Sequence, residues 1–249
     1  MNTNETFYKG TQAALKDFYS QMTLENYQEQ TDLMIKRLGN IPYTSLELGA
    51  GVGLVAIDLN LRGATVTALD FDETVHQIAQ VNQEKYGSQV EFIQADFYQF
   101  QPSKKFDLVY YLDGFGLGSD DDQLKLLKQI HTWLKPEGRA YIEVYQPDYW
   151  RKAAGQQMAL GSDFKRVYAF DEKDQAMVDT WTQISSKQSF VQKLRCYKPD
   201  RMSALASQAN LKVDAVFPNG KMDYKTMQYY SEANIDECMS YALILSKSI

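Results

Sequence analysis

The stretch Leu46-Glu47-Leu48-Gly49-Ala50-Gly51-Val52-Gly53 decides the fold of this 249-residue chain. It begins inside a short apolar and β-branched run, Thr44–Leu48, and it precedes a stretch with helical spacing over residues 54–62. Glycine has no Cβ, so glycines at every second position let the backbone turn sharply and approach a ligand closely. A strand, a glycine-rich turn and a helix in this order are typical of a parallel α/β sheet.

The alternation of strand and helix continues after the glycine loop. Further strands are predicted at Thr65–Asp70, Val90–Ala95, Phe106–Leu112 and Arg139–Tyr145, with helical stretches between them. Strands that alternate with helices predict βαβ units and therefore a parallel sheet. Two later strands, Val213–Phe217 and Tyr241–Leu245, would complete an α/β fold with a seven-stranded, mostly parallel sheet flanked by helices.

Residues 148–199 break this rhythm with three predicted strands, Lys165–Asp171, Met177–Ile184 and Ser189–Tyr197. We interpret them as an antiparallel β insertion after strand five, called the cap below. Helical spacing before the glycine loop predicts a helical lead-in. The predicted organisation is an N-terminal helical lid at 1–42, a ligand-binding core at 43–147, the cap at 148–199 and the C-terminal part of the core at 200–249.

Composition narrows the class of partner. The net charge of −6 and the pI near 5.1 disfavour nucleic acid, so a small molecule is the expected partner. Two cysteines, Cys196 and Cys238, and two histidines are too few for a zinc site or a disulfide framework. The sequence has no apolar run near the ~20 residues that span a bilayer and no signal pattern, so we expect a cytoplasmic protein without membrane contact.

An acidic residue, Asp70, ends the second predicted strand, where a carboxylate can accept hydrogen bonds from both hydroxyls of a ribose. Nicotinamide cofactors and S-adenosylmethionine (SAM) both bring a ribose to this place. Dinucleotide folds favour G-x-G-x-x-G, whereas this loop has Leu54 where the third glycine would fall. The carboxylate of Glu47 would repel a pyrophosphate but would attract the cationic amino group of SAM.

The glycine loop, Asp70-Phe71-Asp72 and Gln94-Ala95-Asp96-Phe97 together resemble the class I, Rossmann-like SAM-dependent methyltransferases. The resemblance extends over residues 40–147 and implies SAM as cofactor and S-adenosylhomocysteine as product. It implies that the ribose hydroxyls bind Asp70, that the adenine amino group binds Asp96, and that the base lies against Phe71 and Phe97. The residues implied for the methionine portion are Glu47, Gly49, Ala50, Gly51 and Gly53.

The segment after strand four, Tyr111-Leu112-Asp113, occupies the acceptor-facing edge in that family. Leu112 is therefore expected beside the cofactor, and Asp113 and Tyr111 are the candidate catalytic residues, because either could take a proton from an acceptor. Asp113 as a helix cap or a solvated loop acid is the alternative. The segment also differs from the Asn/Asp-Pro-Pro-Tyr motif of enzymes that methylate nucleic-acid amino groups.

Phe18-Tyr19-Ser20 resembles the Tyr-Asp pair with which many small-molecule members close over SAM, so Tyr19 is a further cofactor-binding candidate and Tyr27 a weaker one. The acidic run Asp120–Asp122 is explained by the positive end of a helix, and no metal is assigned.

Edge strands of the cap would allow pairing across a homodimer.

The sequence therefore predicts a SAM-dependent methyltransferase that transfers a methyl group to N or O of a small molecule. A nicotinamide-dependent oxidoreductase of the same topology and a noncatalytic SAM-binding module are the alternatives.

Overall fold

A computed structural model describes residues 3–248 of the chain. Its helices are α1 (Thr3–Ala14), α2 (Lys16–Ser20), α3 (Glu25–Leu38), α4 (Leu54–Leu61), α5 (Glu73–Tyr86), α6 (Asp120–Trp133), α7 (Pro147–Ala153) and α8 (Pro199–Gln208). Its strands are β1 (Thr44–Leu48), β2 (Thr65–Asp70), β3 (Glu91–Gln94), β4 (Phe106–Phe115), β5 (Leu134–Tyr145), β6 (Gln157–Leu160), β7 (Phe164–Asp171), β8 (Ala176–Gln183), β9 (Ser189–Arg195), β10 (Leu211–Pro218), β11 (Lys221–Asp223), β12 (Gln228–Tyr230) and β13 (Ser240–Lys247).

The central sheet has seven strands in the order β10-β13-β5-β4-β1-β2-β3. Strands β1 to β5 run parallel, whereas β13 is antiparallel to both β5 and β10. This architecture confirms the predicted fold class. Because β1 pairs with β2 on one side and with β4 on the other, the strand order reverses there and leaves a crevice at the carboxyl ends of these strands.

Each face of the sheet packs against its own layer of helices. Side chains alternate along each strand, so neighbours on β4 such as Tyr110 and Tyr111 contribute to opposite cores. One core includes α6 and α8 through Leu126, Ile130 and Met202, and the other includes α3, α4 and α5. The predicted start of α6 is confirmed, because Ser119 and Asp122 form a reciprocal capping box.

Three elements differ from the sequence prediction. Strand β5 begins at Leu134, ahead of the predicted start at Arg139, because buried Leu134 pairs with Phe106 before a register shift. The cap sheet has a fourth strand, β6, which lies at its edge. A short hairpin, β11 and β12, lies between β10 and β13, and its second strand is fully exposed.

The N-terminal helices and the cap pack against each other above the sheet. Phe7 of α1 meets Trp181 of the cap edge-to-face at a ring distance of 5.7 Å, and Phe190 completes the same cluster. The cap is also joined to the segment after β4, because the Arg195 N–H donates to the Gly116 carbonyl at 2.9 Å. No helix within residues 3–248 is long and apolar enough to cross a membrane.

We predict that Gly53→Ala destabilises the protein more than Gly87→Ala does. Both glycines have left-handed backbones, with φ of 75° and 67°, so each substitution costs about 1–2 kcal/mol of unfolding free energy. A Cβ at Gly53 would in addition lie 2.5 Å from the Phe92 ring, whereas a Cβ at Gly87 would meet nothing within 4 Å. Urea unfolding should show a further loss of about 1–3 kcal/mol for Gly53→Ala.

The double variant Gly53→Ala, Phe92→Ala separates backbone strain from the steric clash. Without the Phe92 ring, the loss of unfolding free energy caused by Gly53→Ala should fall toward the loss caused by Gly87→Ala. Equal costs for the two single variants would contradict the steric argument.

Candidate functional site

A cavity of about 350 Å³ opens at the carboxyl ends of β1, β2 and β4. Helices α1, α2 and α3 contribute to its walls. Most of the predicted site residues line it, namely Tyr19, Glu47, Gly49, Ala50, Gly51, Asp70, Phe71, Phe97, Tyr111, Leu112 and Asp113, together with Tyr27. Gly53 and Asp96 do not. The structure therefore brings the residues of three separate motifs to one place.

The glycine loop presents its backbone to this cavity. Gly49 and Gly51 have φ values of 67° and 54°, which favour glycine. A Cβ at Gly51 would meet nothing within 4 Å, and one at Gly49 would reach only the Tyr111 ring, at 3.4 Å. Gly53, in contrast, precedes α4 and lies against Phe92 and Ala79, so its lack of a side chain serves helix packing.

Asp70 fixes the loop from the neighbouring strand. Its two carboxylate oxygens accept hydrogen bonds from the backbone N–H groups of Gly51, at 2.8 Å, and Asp72, at 2.9 Å. The side chain is buried, and the loss of water raises its pKa to about 6. Each oxygen can accept a second hydrogen bond, so Asp70 can hold the loop and still bind hydroxyl groups of a ligand.

Glu47 is a buried acid beneath the loop. It accepts a hydrogen bond from the Tyr110 hydroxyl at 3.0 Å. Burial raises the pKa of its carboxyl to about 8, and the nearby charge of Asp70 acts in the same direction. Since no salt bridge joins Glu47 to a cation of the described chain, a positively charged ligand group would be favoured here.

The remaining cofactor candidates differ in their exposure. Phe97 is buried and meets Tyr111 edge-to-face at 5.3 Å, and Phe71 is half-buried. Asp96 is exposed, and its oxygens accept hydrogen bonds from Tyr98 N–H and from the Gln99 amide, so it caps its own turn. Its predicted contact with the adenine amino group stays a prediction.

Asp113 lies within β4, at an irregularity between Tyr111 and Phe115, which both pair with β5, and its backbone is unusual. Its φ of 53° lies in the left-handed region, which aspartate tolerates better than most residues. Its side chain is accessible within the cavity and accepts a hydrogen bond from the Tyr145 hydroxyl. The surrounding protein removes water and raises the carboxyl pKa, while the positive charge of Arg166 lowers it.

Tyr111 offers less proton chemistry than Asp113. Its ring is buried, and burial raises the pKa of its phenol well above the ordinary range. It therefore stays protonated at neutral pH and can donate a hydrogen bond. The alternative of Asp113 as a cap of the next helix is not met, because Ser119 caps α6.

Sequence reasoning missed several residues of the cavity. Tyr8 and Gln12 reach it from α1, in a segment without a recognisable motif. Glu143 reaches it from β5, where an acid among apolar neighbours was an available signal. The side-chain oxygen of Gln12 is buried and has no hydrogen-bond partner among the described residues. Among residues 3–248, no three His, Cys, Asp or Glu side chains are arranged to hold a metal.

Comparison with known proteins shows what the central part of this chain is similar to. The model of the methyltransferase domain matches residues 46–138. The tRNA1(Val) (adenine(37)-N6)-methyltransferase of Glaesserella parasuis is 34% identical over 112 residues, which is 38% of this chain and 48% of that protein. The ubiquinone biosynthesis O-methyltransferase of Pseudomonas putida is 32% identical over 99 residues, which is 39% of this chain and 42% of that protein.

The chain thus spans less than half the length of these two relatives. Among solved structures, the CcbJ methyltransferase from Streptomyces caelestis superposes over all of both chains, with a TM-score of 0.77 and 16% identity, which shows a shared fold. The match over residues 46–138 and the seven-stranded topology bear out the resemblance to the class I, Rossmann-like SAM-dependent methyltransferases.

Proposed function

We propose that this protein binds SAM in the described cavity and transfers its methyl group to a nitrogen or oxygen atom of a small molecule. One observation carries the proposal. Glu47 is a buried carboxylate, without a salt bridge to the described chain, beneath a glycine loop whose backbone is open to the cavity. This combination fits a ligand with a cationic amino group and opposes a pyrophosphate.

The residues that would hold SAM follow from this arrangement. Glu47 and the backbone of residues 49–51 would receive the methionine portion, Asp70 the ribose hydroxyls, and Phe71 and Phe97 the base, with Leu112 and Tyr19 completing the walls. When bound, SAM supplies a methyl group on a sulfonium, and the acceptor lone pair bonds to it as the carbon–sulfur electron pair passes to sulfur. The protein then has to orient the acceptor and exclude water.

Asp113 is the stronger candidate for proton transfer. The charge of Arg166 and the hydrogen bond from Tyr145 favour the ionised carboxylate of Asp113, which can accept a proton from an acceptor. Tyr111 would first have to lose a strongly held phenolic proton. We therefore assign Asp113 the role of base and Tyr111 that of a hydrogen-bond donor and wall residue.

A small acceptor is favoured over a nucleic acid. The relative named as a tRNA methyltransferase matches only 38% of this chain. The net charge of −6 and the acidic cavity would repel a phosphate backbone. Helices α1 to α3 also contribute to the cavity walls, which suits an acceptor that enters completely.

We predict that SAM and S-adenosylhomocysteine raise the melting temperature and that NAD does not. A ligand that binds only the folded state stabilises it, so a concentration about 100 times Kd should raise the melting temperature by about 5–10 °C. Differential scanning fluorimetry checks this. A shift with NAD alone would support the oxidoreductase alternative, and SAM binding without turnover of any acceptor would support the noncatalytic one.

Asp70→Ala should weaken SAM binding at least tenfold, because it removes both the ribose contact and the anchor of the loop. Asp107→Ala is the matched control. Asp107 lies at the opposite end of the sheet and also accepts a backbone N–H, that of Thr44 at 2.9 Å. Calorimetric titration with SAM should give Asp107→Ala a dissociation constant close to that of the parent protein, and an equal loss in both variants would argue against this cavity.

The buried carboxyl of Glu47 also predicts a pH dependence of stability. Its folded-state pKa of about 8 lies above its ordinary value of 4.5, so its stabilising contribution is complete at low pH and is lost as pH rises toward 8. Without ligand, the unfolding free energy should fall between pH 5 and pH 8.5. Glu47→Gln should reduce that fall by more than about 1.4 kcal/mol, the free energy of a pKa change of one.

Urea unfolding of both proteins at the two pH values gives this difference. Glu91→Gln is a suitable control, because hydrogen bonds from Thr67 and Lys104 lower the pKa of Glu91. It should not reduce the fall in stability. An undiminished fall in Glu47→Gln would contradict the assignment of the raised pKa to Glu47.

A further inference from the structure

We propose that the methyl acceptor is an amine that enters the cavity as an ammonium ion and is held by Asp113, Glu143 and the amide oxygen of Gln12. This inference rests on the proposed function and adds the chemical class of its substrate. It assigns recognition roles to Gln12 and Glu143, which no sequence motif indicated.

The residues that line the cavity make it acidic. Four carboxylates line it, Glu47, Asp70, Asp113 and Glu143, and the described residues that line it include no lysine, arginine or histidine. Glu47 and Asp70 lie at the ends of β1 and β2, on the side assigned to SAM. Asp113 and Glu143 lie on β4 and β5, so the acceptor side of the cavity has its own pair of acids.

Among residues 3–248, no cation is in direct contact with Asp113. Its hydrogen-bond partner is the neutral Tyr145 hydroxyl. The positive charge of Arg166 lowers the pKa of Asp113, but the Arg166 guanidinium pairs with Asp179, at a nitrogen–oxygen distance of 2.5 Å. An ammonium group in the cavity would therefore supply the missing opposite charge.

Glu143 is in a similar position. The Asp113 backbone N–H donates to it, and the Asn219 amide lies 3.5 Å away. Arg37 is the nearby cation, but it donates to the Tyr141 hydroxyl at 2.9 Å and to the Asn219 oxygen at 2.7 Å. Burial and the charge of Asp113 raise the pKa of Glu143 to about 7. A cation between the two acids would relieve their mutual repulsion.

Gln12 provides an independent indication of a ligand. It is 8% exposed, it lines the cavity from α1, and its side-chain oxygen is buried without a hydrogen-bond partner in the part of the chain that the structure describes. A buried acceptor without a partner destabilises the folded state, so such atoms are rare in folded proteins. The N–H groups of an ammonium ion would satisfy this oxygen, whereas a carboxylate ligand would not.

Aromatic rings complete a site suited to a cation. Tyr8, Tyr19, Tyr27 and Tyr111 line the cavity. Burial and the charge of Asp113 raise the phenol pKa of each, to about 12 for Tyr27, so the rings remain neutral. Neutral rings attract a cation through their electron-rich faces, and the attraction is stronger where water is excluded.

The protonation states balance in this scheme. The ammonium loses one proton to the Asp113 carboxylate, which frees the nitrogen lone pair for the new carbon–nitrogen bond. The methylated product is again an ammonium ion, and the proton on Asp113 passes to water. One proton is therefore released for each methyl group transferred.

Equilibrium binding tests the inference independently of turnover. Protein saturated with S-adenosylhomocysteine would be titrated with a series of primary amines from propylamine to benzylamine, each beside the alcohol and the carboxylic acid of the same shape. At pH 7.5, amines that fit should bind at least about tenfold more tightly than their alcohols, and the carboxylates should bind least.

Asp113→Asn and Glu143→Gln should each reduce the preference for the amine about tenfold while the S-adenosylhomocysteine affinity stays within about twofold. Gln12→Leu should reduce amine binding a few-fold. Glu172→Gln is the matched control, because Glu172 is an exposed acid of the cap that pairs with Arg151 at 2.8 Å. It should leave the preference unchanged.

Two results would overturn the inference. One is equal binding of amines and alcohols throughout the series, and the other is an amine preference that persists in both carboxylate variants. Failure of S-adenosylhomocysteine to bind would instead refute the proposed function, so the two failures are distinguishable.

Discussion

The hydrogen bond from the Gly51 N–H to the Asp70 carboxylate is the contact on which the rest of the site depends. It joins the ends of β1 and β2, the two strands beside the point where the strand order reverses. The loop is thereby held with its backbone toward the cavity and with Glu47 beneath it. The same carboxylate accepts the N–H of Asp72, whose side chain caps α5, so the start of the next helix is fixed as well.

This arrangement places acidic side chains together where little water can reach them. The carboxyls of Glu47, Asp70 and Glu143 all have raised pKa values, because the surrounding protein removes water and so penalises their ionised forms. These carboxyls therefore make the folded protein without ligand less stable at neutral pH than at acidic pH, where they are protonated. A positively charged ligand would supply the favourable electrostatic interaction that these acids lack in the empty cavity. The loss of stability and the affinity for a cation therefore have the same electrostatic cause.

The sequence predicted those parts of the molecule that depend on local patterns. Strand β1, its glycine loop and Asp70 could be identified because a tight turn and a carboxylate at a strand end require particular residue types at fixed spacing. The same reasoning grouped Gly53 with the ligand-binding glycines, yet only the fold reveals Phe92 beside it. It also could not show that Asp96 caps its own turn, because the turn that follows β3 has no strong signature.

The parts that escaped prediction depend on contacts between distant segments. Gln12 reaches the cavity only because Phe7 and Leu15 of the same region pack into a cluster with Trp181 and Phe190 of the cap. Neither Gln12 nor Glu143 lies within residues 46–138, where the family model matches. Relatives that match only that segment need not share Gln12 or Glu143. In the proposed arrangement, the position of Gln12 depends on how α1 and the cap pack together, and Glu143 lies on β5, so the acceptors of relatives that match only part of this chain are weak guides to its own acceptor.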